Sequence, residues 1–85
     1  MIMTAREIKI IRSLLNALHD LDGLQAGEIT LHGAVNLLVP CGAQEFSEAL
    51  KLAAEKKWIN QVASRHTGKM KYNIVDAGEA ARLEM

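Results

Sequence analysis

SRHTGKMKYNIVDAGEAARLEM, residues 64–85, holds the pattern that decides the fold. Met70 to Val75 alternates, with Met70, Tyr72 and Ile74 on one face and Lys71 and Asn73 on the other, which predicts a β-strand. Trp58 to Ser64 reads as a partner strand. Arg65 to Lys69, with Gly68 among them, has the length and composition of a hairpin loop. Beyond the second strand, Asp76 can cap a short helix, and Glu79 completes an Asp-x-x-Glu capping box. The hairpin tip is basic, with Arg65, His66, Lys69 and Lys71 around its glycine.

Working outward from the hairpin, a helix is predicted from about Ala43 to Lys57, with Phe46, Ala49, Leu50 and Ala53 as its buried row. Its outward stripe carries Gln44, Ser47, Glu48, Lys51 and Glu55, flanked by Glu45 and Leu52. Lys56 and Lys57 stand at its C-terminus, where the helix dipole favours cations. Before it, Pro40-Cys41-Gly42 makes a tight turn and stops a short helix, which Thr30 can cap. Leu31, Ala34, Val35 and Leu38 form one face of that short helix, and Glu28-Ile29-Thr30 reads as a very short strand ahead of it.

Nearer the N-terminus, Thr4-Ala5-Arg6-Glu7 is a capping box and starts a first helix at Ala5. Asp22-Gly23 ends it. Ile8, Ile11, Leu15 and Leu18 run beside Ile10, Leu14, Ala17 and Leu21, so nearly half the helix is apolar. A face that wide needs several neighbours or a partner chain. Leu52 and Met1-Ile2-Met3, apolar without evident burial, point the same way, so helix 1 and Leu52 are the expected docking surface for a protein partner or a homodimer.

Two short helices around a tight turn, followed at once by a hairpin, make a winged arrangement. Over nearly its whole length the chain resembles the winged helix-turn-helix superfamily. Tyr72-x-Ile74-Val75-x-x-Gly78, followed by Leu83, is similar to the "Y-x-L-T-x-x-G-…-L" wing ending of many small bacterial regulators, with Val75 where such families often carry a Thr helix cap. The expected fold is therefore α+β: one domain over residues 1–85, with a three-helix core, a C-terminal β-hairpin wing and a short final helix. The resemblance implies a major-groove role for the third helix and a DNA-contacting wing, and hence a transcription-regulatory protein.

Composition bounds the alternatives. Hydrophobic residues are 49% of the chain and charged ones 24%, which suits a packed core rather than disorder. The formal net charge is zero, yet residues 1–55 carry four bases against seven acids and residues 56–85 six against three. A single cysteine, Cys41, excludes an intramolecular disulfide. The N-terminus lacks the pattern of a secretion signal, and no apolar run reaches a membrane span, so a soluble cytoplasmic protein without membrane contact is expected.

Nothing in the pattern reads as catalytic, and no cofactor or metal is expected. Cys41 near the start of the third helix could have its thiol pKa lowered by the dipole, but a small residue filling a turn is the simpler role. His19, His32 and His66 lie on separate elements without metal-ligand spacing. Arg6, Lys9 and Arg12 make a lesser basic stripe on helix 1, best read as a solvated face.

Two readings of function stand. In the first, double-stranded DNA is the partner: Gln44, Ser47 and Lys51 meet bases, and Arg65, His66, Lys69 and Lys71 grip phosphate or a groove. In the second, the winged helix docks a protein and binds no nucleic acid, which suits a third helix whose outward side is more acidic than basic.

Overall fold

The computed structural model describes residues 3–22 and 24–85. Helix α1 spans Ala5–Asp20. Its capping box is made: Glu7 N–H donates to Thr4 Oγ1 at 3.1 Å and Thr4 N–H to Glu7 Oε1 at 2.9 Å. Leu21 caps the C-terminus, its N–H donating to the Leu18 carbonyl at 3.2 Å. Asp22 follows at φ 52°, while Gly23 lies outside the described residues, as do Met1 and Ile2.

The broad face of α1 is spent within the chain. Ile10, Ile11, Leu14, Leu15 and Leu18 are buried, and the helix packs against α2 (Glu28–Leu38), α3 (Ala43–Glu55), α4 (Asp76–Glu84) and strand β3 (Met70–Ile74). Four neighbours explain the width of the stripe, so the expected docking surface on helix 1 is not free. Leu52 is likewise half-buried against the core, and so is Met3.

Strand β1 is Ala26–Gly27, not the expected Glu28-Ile29-Thr30. Ala26 pairs with Tyr72 and Gly27 with Lys71, and the chain turns into α2 directly afterwards. Gly27 is therefore the N-cap, extended at φ −81° and ψ 166°, and Thr30 lies exposed inside the helix rather than capping it. On α2 only Leu31 and Val35 are fully buried; Ala34 and Leu38, expected beside them, face outward.

Helix α3 starts at Ala43 as expected and ends at Glu55, two residues before the expected Lys57. Lys56 caps it, and Lys57, at φ 62°, turns the chain toward β2 (Ile59–Ala63). Strands β2 and β3 form the hairpin, with Ile59 opposite Ile74 and Ala63 opposite Met70. The antiparallel sheet has the order β1-β3-β2. Tyr72 is buried and Ile74 half-buried, while Met70 is exposed because it lies at the wing end of the ladder, beyond the core.

The final helix begins one residue earlier than its apparent capping box. Val75, held extended by an N–H bond to the Trp58 carbonyl at 3.3 Å, is the N-cap and has no side-chain cap bond. Asp76 is thus the first helical residue, where its charge still suits the positive helix end. Glu79 reaches instead to His19 on α1, at 2.8 Å from Nδ1. Arg82 joins this α1–α4 clamp through Glu79 at 3.5 Å and Asn16 at 3.3 Å.

Candidate nucleic-acid interface

Burial of Phe46, Ala49, Leu50 and Ala53 rotates the opposite side of α3 into solvent. Gln44, Ser47, Glu48, Lys51 and Glu55 are all exposed there, so the three candidate base-reading residues share one stripe. Glu45, on the flank, does not stand as a free acid. The Arg6 guanidinium of α1 donates to its Oε1 at 2.9 Å and also to the Pro40 carbonyl at 2.7 Å. This charge-assisted bond holds the Glu45 carboxyl below the usual glutamate range and raises Arg6. The acids left on the outward side of α3 are Glu48 and Glu55.

The turn between α2 and α3 is pinned from three sides. Besides Arg6, His32 donates from Nε2 to the Cys41 carbonyl at 2.7 Å, and Cys41 N–H donates to Asn36 Oδ1 at 2.9 Å. The His32 ring stacks on Phe46 at a centroid distance of 4.9 Å and an interplanar angle of 18°. Together these fix the pose of α3 on α2. Cys41 is half-buried, and desolvation, reinforced by the Glu45 charge, pushes its thiol up rather than down, against the lowering that the helix dipole could give. The partnership of Arg6 with Glu45 spans 39 residues and has no local signature.

On the wing, Ser64 N–H donates to the Lys69 carbonyl at 2.8 Å and Gly68 N–H to the Ser64 carbonyl at 2.9 Å. Thr67 Oγ1 accepts from Lys69 N–H at 3.2 Å. This closed loop displays Arg65, His66 and Lys69, and Lys71 follows on β3, all exposed. Among the described residues, no carboxylate lies within 4.0 Å of their charged groups. Lys69 and Lys71 also share a groove of about 500 Å³ with Glu28, Ile29, Thr30 and Tyr72. Burial, then the Glu28 carboxylate, raises the Tyr72 phenol.

Lys56 and Lys57 stand between helix and wing. Lys56 Nζ lies 5.5 Å from the centroid of the Trp58 ring, and Trp58 itself is half-buried against the core. The lesser stripe on α1 is broken up: Arg6 is taken by Glu45, and Arg12 reaches the Met85 carbonyl at 3.4 Å. Among the described residues no three His, Cys, Asp or Glu side chains gather as metal ligands, and no helix is long and apolar enough to cross a membrane.

The order α1-β1-α2-α3-β2-β3-α4, with its three-stranded antiparallel sheet, is a winged-helix-like α+β fold. No family model matches the chain, and no curated protein matches it. The crystal structure of SSV1 F-93 is similar over 99% of this chain and 84% of that one, at a TM-score of 0.69 and 17% identity, a likeness of fold.

Proposed function

We propose that this chain is a small winged-helix DNA-binding domain of regulatory type. The wing, residues 65–71, supplies phosphate neutralisation, and α3 offers Gln44, Ser47 and Lys51 to base edges. The observation that carries this reading is the wing tip: Arg65, Lys69 and Lys71 stand exposed with no acid in reach among the described residues. Three cationic side chains gathered at one hairpin tip would be an electrostatic cost without a polyanion to meet. The Arg6–Glu45 pair supports it further by removing one negative charge from the flank of α3.

Glu48 and Glu55 on the outward stripe favour the second reading, a protein-docking winged helix. One titration separates the two. Isotope-labelled protein is titrated with a mixed-sequence DNA duplex at low and then moderate salt, and amide shifts are followed by NMR. DNA binding gives shifts at 44–51 and 65–71 that fade as salt rises. An unchanged spectrum at millimolar duplex in low salt ends the DNA reading.

A further inference from the structure

The groove between the wing and the start of α2 has a structural cause. Strand β1 stops at Gly27, opposite Lys71, because the chain turns there into α2. The edge of β3 at Met70 is left without a strand on that side. The gap, about 500 Å³, has the size of a small-molecule site. Its walls are chemically mixed. Ile29 is 83% exposed and Met70 40%, so hydrocarbon that the core does not use faces the gap. Lys69 and Lys71 line its wing side, with no carboxylate within 4.0 Å of either ammonium among the described residues.

Tyr72 lines the same gap. It is only 6% exposed, yet its hydroxyl makes no hydrogen bond among the described residues. That oxygen is not sealed into the core: it opens on the gap, near enough to Glu28 for the carboxylate to raise the phenol. A nearly buried phenol with no partner in its own chain is a donor aimed at whatever fills the gap.

We propose that this groove binds a small monocarboxylate with an apolar body. The carboxylate lies between the Lys69 and Lys71 ammoniums and accepts from the Tyr72 hydroxyl, while the body covers Ile29 and Met70. Two cations and a free donor select an anionic head, and bonds to a charged acceptor are the strong ones. A bare anion would leave the apolar wall in water. Glu28, the one acid in the lining, limits the charge: a second carboxylate on the ligand would meet it at close range. Lys69 and Lys71 also belong to the wing of the proposed DNA-binding domain, so a filled groove withdraws both from phosphate. That regulatory consequence rests on the DNA reading; binding of the acid does not.

Octanoate is the probe, and amide shifts in labelled protein without DNA are the readout. A ligand of about ten heavy atoms in an open groove is expected to bind in the millimolar range. Saturable shifts should be confined to residues 27–30 and 67–72. Acetate, the head alone, and suberate, with a carboxylate at both ends, should each bind about tenfold more weakly or worse. Tyr72→Phe, and separately Lys69→Gln with Lys71→Gln, should weaken octanoate about tenfold, the worth of a hydrogen bond to a charged group. Their circular dichroism spectra should be unchanged, since the Tyr72 hydroxyl bonds to nothing in the fold and both lysines are exposed. Shifts scattered over the surface, or absent at tens of millimolar octanoate, overturn the proposal. So does acetate or suberate matching octanoate, or Tyr72→Phe binding octanoate as the natural chain does. Duplex affinity is then measured by fluorescence anisotropy with and without octanoate at matched ionic strength. A fall supports the regulatory link, and an unchanged affinity overturns it. A chain that takes octanoate but no duplex ends the DNA reading and supports the groove.

Discussion

A methyl group on residue 78 would lie 2.0 Å from the Trp58 carbonyl oxygen and 2.8 Å from Ile74 Cγ1. Gly78 is therefore the point where α4 closes on the start of the hairpin, and its place in the Tyr72-to-Leu83 pattern has a steric cause. Gly78→Ala is expected to lower stability by about 1–3 kcal/mol, the usual range for forced overpacking, read as a lower denaturant midpoint at unchanged slope. Three residues earlier, Val75 holds an N-cap geometry, φ −116° and ψ 174°, without a capping oxygen. Val75→Thr places a hydroxyl where the first-turn N–H groups of α4 lack a side-chain acceptor. An increase of about 1 kcal/mol in unfolding free energy is expected, the ordinary worth of such a cap. A fall instead would mean that burial of the hydroxyl costs more than the cap returns.

The third helix depends on its neighbours for its pose. Phe46, fully buried and stacked on His32, anchors it, and Phe46→Ala is expected to cost about 3–5 kcal/mol in chemical denaturation. The Arg6–Glu45 tie adds a pH dependence. Glu45 titrates below the usual glutamate range when folded, so its contribution is full above that range and is lost as pH falls through the depressed value. Acid titration of stability is expected to be shallower in Arg6→Gln, in which Glu45 loses the partner that lowers it. What is legible from sequence follows the reach of each interaction. The α1 capping box, the start of α3 at Ala43 and the start of β3 at Met70 rest on neighbours a few residues apart, and all are readable, whereas the expected strand Trp58 to Ser64 is one residue too long at each end and the expected end at Val75 is one residue too late. Strand β1 is misplaced by local pattern because two residues are a strand only when β3 supplies the ladder. The buried face of α2 is half missed because Ile29, Leu31, Ala34, Val35, Leu37 and Leu38 leave little polar contrast around that helix, and periodicity cannot choose a side without one. The exposed stripe of α3 is legible; the silencing of Glu45 by Arg6 is not, since the partners meet only in the fold.

Across the whole molecule, charge is segregated although its sum is zero. For duplex binding, each phosphate contact from the wing contributes about 0.9 to the slope of log affinity against log salt. Replacing Arg65, Lys69 and Lys71 together with alanine is expected to flatten that slope by about 2–3, measured by fluorescence anisotropy across a salt series, with little effect on folding because all three are exposed. An unaltered slope would remove the wing from the interface. The sheet, in turn, joins distant parts of the chain through very little. Among the described residues, Ala26 and Gly27 are the ones of the segment between α1 and α2 that pair with the strand beginning at Met70. Ala26 is buried in the same core as α1, so opening that seam has a cost, but its ladder is the shortest in the sheet, and amide hydrogen exchange should be faster at Ala26 and Gly27 than at Ile11 to Leu15. The start of α2 would then detach as a separate, low-energy opening ahead of global unfolding.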